Sequence, residues 1–337
     1  ARRATAENGG RGRSACMIRR GVEMGWRGAP RVSIGLPVYN RQQYVGEAIE
    51  SILAQTFADF ELIISDNAST DATGVICQEY ARKDARVRYY RNEINIGAAK
   101  NFNRVFHLSS GEYFKWMASD DICAPTFIER CVEALDGDTG AVLAYPRARC
   151  IDEHGTVVPR YVHFVQYTPL PPDAVGRVHR LVGGGVFARN PGIAAVYVFG
   201  VIRAASLRMT RLMRSHVNSD CNLLVELALL GRFIEIPEYL SFLRRLPEKS
   251  LPARDSWHAL QMQQDFFDPS IRSKLALWLS SRRRPLEYAV SVVRAPLPAR
   301  QKVELLTSLA GLAGHRLGGR LKRVMRAAGG QPAHPSA

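Results

Sequence analysis

Short apolar runs alternate with amphipathic segments from residue 31 onward. The runs are five or six residues long, and between them apolar side chains recur every three or four positions, which predicts strands alternating with helices. Such alternation specifies a largely parallel sheet covered by helices. The predicted strands are 32–37, 60–65, 87–91, 113–117 and 141–145, and the predicted helices are 44–55, a helix ending near 82, 98–108 and 125–135.

The regularity weakens after residue 150. Turn residues at 153–155 predict a hairpin, and the Pro-rich and Gly-rich stretches at 169–172 and 183–185 predict a loop over a site. The remaining predicted elements are a strand at 195–202, a helix at 220–230, strands at 233–236 and 240–244, and helices from 256 onward.

These patterns divide the chain into three parts. Residues 1–30 lack periodicity and are expected to form a flexible basic segment. Residues 31–250 form the α/β domain, with halves at 31–150 and 151–250, and residues 251–337 form a helical basic extension.

The positive charge lies at the two ends of the chain. Residues 1–31 carry a net +6, residues 270–337 carry +11, and the segment between them carries −2. The near-neutral body, which contains no nucleic-acid-binding motif, argues against a nucleic acid partner. The basic, apolar C-terminal region predicts either amphipathic helices on an anionic membrane surface or a solvated helical face.

Cysteine usage and hydropathy indicate the compartment. The six cysteines contain no C-x-x-C pair, which is typical of free thiols in a reducing compartment. The apolar stretches are too short to span a bilayer, and the first 30 residues lack the apolar core of a secretory signal. The expected location is the cytoplasm, where the basic helices could contact the inner face of the membrane.

Polar clusters follow three of the predicted strands, and the carboxyl ends of parallel strands are where such sheets bind ligands. No G-x-G-x-x-G follows the first strand, and the chain contains no G-x-x-x-x-G-K-[ST], H-E-x-x-H or G-x-S-x-G. Adjacent Asp120 and Asp121 either hold a hard cation such as Mg²⁺ or Mn²⁺ or cap the helix near Pro125. The clusters are 37–40, 66–71 and 119–121.

Three runs of sequence resemble the GT-A catalytic domain of family 2 glycosyltransferases, which take nucleotide-diphosphate sugars and invert the anomeric centre. The runs are VSIGLPVYNRQQYVGEAIESILAQTFADFELIISDNASTDAT, NIGAAKNFNRV and GEYFKWMASDDICAPTFIERCVEAL. The resemblance covers about residues 31–250 and implies a mixed, mainly parallel GT-A sheet flanked by helices.

The resemblance also implies a donor site in the first half of the domain. Asp120 matches the last Asp of the D-x-D motif, whose metal, Mg²⁺ or Mn²⁺, bridges the two phosphates, and Ala118 stands where many members have the first Asp. Asp66 would hydrogen-bond the base. The positions implied for the nucleotide sugar are Pro37, Tyr39, Asn40, Asp66, Asn95, Lys100, Ser119 and Asp120.

The resemblance continues in the second half with FGVIRAASLRMTRLMRSHVNSDCNLLVELALLGRFIEIPEYLSFLRR. It implies that Asp220 is the catalytic base, whereas the residue pattern alone also allows a helix N-cap. Many members place a His where this chain has the segment after Arg245. Candidates for acceptor binding or support are Asp121, Arg189, Arg244 and Arg245.

Three functions are therefore compared. The first is an inverting glycosyltransferase that uses a nucleotide-diphosphate sugar and a carbohydrate or lipid-linked acceptor, in the synthesis of cell-surface polysaccharide or glycolipid. The second is a sugar nucleotidyltransferase, which would need a Gly-rich, Arg-containing loop that residues 37–41 do not supply. The third is a non-catalytic nucleotide-binding protein, favoured by Ala118 and by the missing His.

Overall fold

The computed structural model describes residues 28–159, 170–183, 186–189, 193–245 and 283–312, together with isolated positions between 265 and 279. The predictions for most of the N-terminal segment, for much of the Pro-rich and Gly-rich loop and for the helices from 256 to 264 lie outside these residues.

Eight strands form one mixed sheet in the order β3-β2-β1-β4-β7-β6-β8-β5. Strand β1 lies at the centre of a parallel set with β2, β3 and β4, and β6 pairs parallel with β8. Strand β7 is antiparallel to both of its neighbours and joins the two sets. The strands are β1 (Val32–Val38), β2 (Phe60–Asp66), β3 (Val87–Arg91), β4 (Tyr113–Trp116), β5 (Ile122–Cys123), β6 (Ala141–Ile151), β7 (Val201–Arg203) and β8 (Arg232–Arg244).

Helices cover both faces of the sheet. On one face α1, α2 and α4 pack over alternate residues of β1 and β2, and on the other face α3 and α9 pack over β4 and β6. The helices are α1 (Val45–Leu53), α2 (Thr73–Lys83), α3 (Ala98–His107), α4 (Phe127–Gly137), α5 (Ala174–Val178), α6 (Val186–Arg189), α7 (Ile193–Val198), α8 (Ala204–Arg208), α9 (Ser219–Leu230), α10 (Arg284–Arg294) and α11 (299–312), with a π-helical turn at His179–Gly183 after α5.

The architecture confirms the predicted mixed, mainly parallel sheet flanked by helices. Strand β3 has the predicted bounds, and the other elements of the first half differ from prediction by a few residues at their ends, with β6 running on to Ile151. The bridge between Ile151 and Val157 confirms the predicted hairpin.

The strand predicted at 195–202 is wrong over most of its length. Residues Ile193–Val198 form α7, and only Val201–Arg203 form a strand. Almost every residue of α7 is buried, so its apolar run lacks the periodicity that separates a buried helix from a buried strand.

The two strands predicted at 233–236 and 240–244 form one strand, β8. The pairing of β8 with β6 skips residues after Ile236 and again after Tyr239, so the predicted break is an irregularity within a continuous strand.

Two expectations about compartment have structural counterparts. Five cysteines in the described part of the chain are free and buried, at positions 77, 123, 131, 150 and 221. Across the same residues, no helix combines the length and the apolar character that crossing a bilayer requires.

The packing of β1 against α3 leaves no room for a side chain at Gly35. A Cβ there would lie 2.6 Å from Val105 Cγ2 and 2.8 Å from Phe114 Cζ. The absence of a side chain therefore sets how closely α3 approaches the middle of the sheet.

We expect Gly35→Ala to destabilise the fold by about 1–3 kcal/mol, because the added methyl group overpacks this contact. Gly137→Ala is the matched control: a Cβ at Gly137, at the end of α4, meets no atom within 4 Å. The free energy of unfolding of the Gly137→Ala variant, measured by urea titration, should stay within about 0.5 kcal/mol of the parent value. Equal losses in the two variants would contradict this account of the packing.

Candidate functional site

Four parallel strands end at one edge of the sheet and carry the predicted donor site. Strands β1, β2, β3 and β4 run in the same direction, so the loops that follow them lie side by side. These loops hold five of the eight residues predicted for the nucleotide sugar, which are Tyr39, Asn40, Asn95, Ser119 and Asp120. The other three lie within elements: Pro37 is buried in β1, Asp66 is the last residue of β2, and Lys100 is in the first turn of α3.

The loop after β1 is joined to the loop after β2. Asn40 adopts a left-handed backbone conformation with φ +48°. Its backbone N–H donates to Ser69 Oγ at 3.0 Å, and its side-chain Oδ1 accepts from the Thr70 N–H at 2.8 Å. Tyr39, beside it, is 42% exposed, so its ring is available to a ligand at this edge.

Asp66 is fully buried and is engaged by protein donors. Its Oδ1 accepts from the Ser69 N–H at 2.9 Å, and its Oδ2 accepts from Tyr89 Oη at 2.7 Å and from Arg91 Nη1 at 2.5 Å. These bonds hold the β2 loop in shape. A hydrogen bond between Asp66 and a nucleobase, as the resemblance implies, stays a prediction, and it would require the buried carboxylate to become accessible.

A network of buried amides joins β2, β3 and α3. Asn67 Oδ1 accepts from Asn92 Nδ2 at 2.8 Å and from the Ile96 N–H at 2.9 Å, while Asn67 Nδ2 donates to Asn95 Oδ1 at 2.7 Å. Asn101 Nδ2 donates to the Ser65 carbonyl at 2.8 Å. Our sequence reasoning missed this network, although Asn101 on the apolar face of α3 is a signal that could have indicated it.

The turn before α3 is covered by a segment from the C-terminal region. Gly97 has φ +83°, and a Cβ there would lie 2.6 Å from the Phe267 carbonyl oxygen. Lys100 Nζ lies 3.9 Å from Asp268 Oδ2, and the lysine side chain is more than half exposed. The turn before α3 and Lys100 therefore lie against this part of the C-terminal region.

The loop after β4 is held by Arg244, the last residue of β8. Its Nε donates to the Asp120 carbonyl at 2.9 Å, and its backbone N–H donates to Asp121 Oδ1 at 2.8 Å. The remaining guanidinium donors reach the Glu153 carbonyl at 2.9 Å and the Glu47 carboxylate. Arg244 is 3% exposed, so of the two alternatives predicted for it, acceptor binding or support, its position fits support of the loop after β4.

Neither aspartate caps the helix that follows. Helix α4 begins at Phe127, and its N-cap residue Thr126 makes no side-chain capping bond. Asp120 is 4% exposed, its Oδ2 lies 3.7 Å from Arg41 Nε, and Ser119 beside it is half-buried. The helix-capping explanation of this pair is therefore wrong.

A metal ion at Asp120, shared with a phosphate ligand, stays a prediction. Within the described ranges, no three His, Cys, Asp or Glu side chains are grouped closely enough to hold a metal ion by themselves. Mg²⁺ is usually bound by one or two carboxylates together with substrate phosphates. The Asp120 carboxylate can supply such a ligand, whereas Asp121 Oδ1 is engaged by the backbone of Arg244.

Asp220 lies in the first turn of α9, on the acceptor side predicted from sequence. The N-cap of α9 is Asn218, so Asp220 is not the cap. Asp220 Oδ1 accepts from the Cys221 N–H at 2.9 Å, and the residue keeps part of its surface accessible. Burial raises the pKa of its carboxyl above the ordinary 3.8, and the hydrogen bond from Cys221 and the charge of Arg284 oppose that rise.

Contacts connect the start of α9 to the donor side. Asn103 on α3 donates through Nδ2 to the Met213 carbonyl at 2.9 Å and accepts through Oδ1 from the Met213 N–H at 3.0 Å. This pair of bonds fixes the segment that leads to Asp220 against the helix that carries Lys100.

The other acceptor-side candidates are less defined by the structure. The backbone N–H of Arg245 donates to the Ile151 carbonyl at 2.8 Å, and its side chain lies beside the Cys150 thiol. Arg189 is the last residue of α6, and its side chain lies outside the described atoms.

A family model and several known relatives match part of the chain. The model of the family described as "Glycosyl transferase family 2" matches residues 33–187. Chondroitin synthase of Escherichia coli is 35% identical over 129 residues, 38% of this chain and 19% of that protein. An uncharacterized glycosyltransferase of Haemophilus influenzae is 36% identical over 107 residues, 32% of this chain and 33% of that protein.

The fold is similar to that of a solved structure from S. aureus. Residues 1–349 of TarS from S. aureus, solved in complex with UDP-GlcNAc, superpose with a TM-score of 0.57 at 18% identity, covering 83% of this chain and 71% of that one. The curated relatives named above are matched over a third of their length or less. Residues 33–187 of the chain are therefore similar to glycosyl transferase family 2.

Proposed function

We propose that this protein is an inverting glycosyltransferase that moves a sugar from a nucleotide-diphosphate sugar to an acceptor hydroxyl. The observation that carries the proposal is the position of Asp220, in the first turn of α9 with part of its surface accessible, in a chain whose residues 33–187 match a glycosyl transferase family. Burial also raises the pKa of its carboxyl. A carboxyl with a raised pKa is a stronger base than an ordinary aspartate.

The proposed reaction is a single displacement at the anomeric carbon. Asp220 takes the proton of the acceptor hydroxyl while the hydroxyl oxygen forms a bond to C1. The bond between C1 and the phosphate oxygen breaks at the same time, and its electron pair leaves with the nucleoside diphosphate. Attack from the face opposite the leaving group inverts the anomeric centre.

The loops at the carboxyl edge of the sheet would hold the donor. Tyr39 is exposed for contact with the nucleoside, and Lys100 presents its ammonium group beside the turn before α3. Asp120 would supply a carboxylate ligand to Mg²⁺ or Mn²⁺. When bound, such a cation offsets the charge that develops on the departing diphosphate.

We propose a carbohydrate or lipid-linked acceptor, in the synthesis of cell-surface polysaccharide or glycolipid. The name chondroitin synthase, carried by one relative, supports a carbohydrate polymer among the possible products of this family. Exposed apolar side chains on α10 and α11 stand beside basic ones, as expected of a surface that contacts anionic lipid. They are Leu286, Val293 and Val303, with Arg283, Arg294 and Arg300.

Asp220→Asn should reduce transfer by about 10²- to 10⁴-fold, because the amide cannot accept the hydroxyl proton. Nucleotide binding should persist, since the donor loops are unchanged. The control is Asp59→Asn, an exposed aspartate immediately before β2 at the opposite edge of the sheet, which should keep full activity. Turnover of candidate nucleotide sugars is the measurement, and normal turnover in Asp220→Asn would rule out this base.

The kcat/KM of the parent protein should fall at acid pH. Burial raises the pKa of Asp220, so the carboxylate is lost as the pH falls through a value above 3.8, and kcat/KM should fall there. An acid limb at or below 3.8 would contradict the assignment of Asp220 as the base.

Donor binding can be tested without turnover, by thermal unfolding with a panel of nucleoside diphosphates and sugar nucleotides, with and without Mn²⁺. A ligand at about 100 times its Kd adds roughly 2.7 kcal/mol to stability. We expect one nucleotide to raise the Tm, and Mn²⁺ to increase the shift. Asp120→Asn should remove the Mn²⁺-dependent part, whereas Asp59→Asn should retain it.

Two other outcomes of the panel would each change the conclusion. A Tm shift that does not respond to Mn²⁺ would show that Asp120 serves the donor without a metal. The absence of a shift with every nucleotide would favour a member of the family that has lost donor binding.

A further inference from the structure

Arg41, which directly follows the cluster at 37–40, brings a positive charge to the Asp120 carboxylate. Its Nε lies 3.7 Å from Asp120 Oδ2, within the distance of an ion pair. The two residues are far apart in the chain, one in the loop after β1 and the other in the loop after β4. Arg41 is not among the residues predicted for the nucleotide sugar, so only the tertiary structure reveals this contact.

The backbone of Arg41 is held by the helices that follow β1 and β2. Its N–H donates to Thr73 Oγ1 at 2.7 Å, and its carbonyl accepts from the Tyr44 N–H at 3.1 Å and from the Val45 N–H at 2.9 Å. Val45 and Thr73 are the first residues of α1 and α2. The position of the Arg41 backbone is therefore set before any ligand arrives.

Two arginines bind different parts of Asp120. Arg244 donates to the backbone carbonyl of Asp120, is buried, and has its other guanidinium donors engaged by further carbonyls and a carboxylate. Arg41 lies beside the carboxylate instead, and its side chain is 32% exposed. Its Nη1 donates to the Asn40 carbonyl at 2.9 Å. Of the two guanidinium groups, that of Arg41 is the one that a ligand can reach.

The charge at this edge of the sheet favours a phosphate contact for Arg41. Asp120 and Asp121 are adjacent carboxylates, and a bound diphosphate would add further negative charge beside them. Like charges that lie close together and away from water repel strongly. The planar guanidinium of an arginine carries a positive charge and matches the oxygens of a phosphate with two parallel hydrogen bonds. Arg41 therefore has the charge and the exposure that such a contact requires.

We propose that Arg41 is a donor-binding residue whose guanidinium serves two partners in turn. In the free protein it pairs with the Asp120 carboxylate. When a nucleotide-diphosphate sugar binds, the guanidinium turns to a phosphate oxygen of the donor and leaves the Asp120 carboxylate to a divalent cation. The proposal rests on the proposed function and deepens its donor site, to which it adds a protein ligand for the diphosphate.

The first test measures binding without turnover, in the full chain and in the presence of EDTA. The probes are UDP, GDP, CDP, ADP and dTDP, each compared with its nucleoside, and calorimetric titration gives the Kd. Arg41→Gln should weaken binding of the preferred diphosphate by about 10- to 100-fold, because a charge-assisted hydrogen bond is lost. The affinity for the matching nucleoside should not change, since the nucleoside has no phosphate for Arg41 to bind.

Two further variants make this result specific to the phosphate contact. Arg41→Lys keeps the positive charge but not the planar fork, and it should lose less affinity for the diphosphate than Arg41→Gln. Arg82→Gln removes an exposed arginine from the last turn of α2, at the opposite edge of the sheet, and should bind the diphosphate as the parent does. Equal losses for diphosphate and nucleoside in Arg41→Gln, or no loss, would overturn the proposal.

The second test uses Mn²⁺ alone, with no nucleotide present. Because the Arg41 guanidinium and the cation compete for the Asp120 carboxylate, Arg41→Gln should bind Mn²⁺ about tenfold more tightly than the parent, as measured from the EPR signal of free Mn²⁺. The gain should be absent in the Asp120→Asn background. General damage to the site would weaken both Mn²⁺ and diphosphate binding, whereas the proposal predicts opposite changes. An unchanged or weaker Mn²⁺ affinity in Arg41→Gln would overturn the exchange of partners.

The two tests separate this proposal from the function on which it rests. Failure of every nucleotide to bind the parent, combined with tighter Mn²⁺ binding in Arg41→Gln, would overturn the proposed donor site and leave only the ion pair with Asp120 standing. Parent-like diphosphate binding in Arg41→Gln, combined with an inactive Asp220→Asn variant, would overturn the role of Arg41 alone.

Discussion

The burial of the Arg244 guanidinium is the constraint on which the β4 loop depends. Its donors bind the backbone carbonyls of Asp120 and Glu153 and the Glu47 carboxylate, and its Cζ lies 4.9 Å from the centroid of the Tyr44 ring. A buried guanidinium must have such partners, since an unpaired charge in the interior is costly. The need to satisfy one cation therefore brings β8, α1 and the β4 loop together.

In the loops after β2 and β3, the buried groups that need partners are neutral amides. Asn67, Asn92 and Asn101 lie where β2, β3 and α3 meet, and their amides hydrogen-bond to one another and to the backbone. Such bonds are made before any ligand arrives, so the loops do not have to be ordered at the moment of binding. The same interactions keep Asp66 enclosed, which sets a cost for any direct contact between its carboxylate and a base.

The positions of α9 and of the turn before α3 depend on parts of the chain that lie far apart in sequence. Asn103 fixes the segment before α9, Arg211 ties α9 to α10, and Asp268 lies beside Lys100. The family match ends at residue 187, so each of these contacts has at least one partner outside it.

The sequence by itself determined the order of strands and helices in the first half, because apolar periodicity is a local property. It also placed Tyr39, Asn40, Asn95 and Asp120 after parallel strands, because polar residues follow the apolar runs. The roles of these residues remain predictions. Only the tertiary structure decided that Ile193–Val198 is helical and that Asp66 and Arg244 are buried, and only it brought α10 against α9. A fully buried run has no periodicity to indicate its type, and the partner of a buried charge is set by contacts between residues distant in the chain.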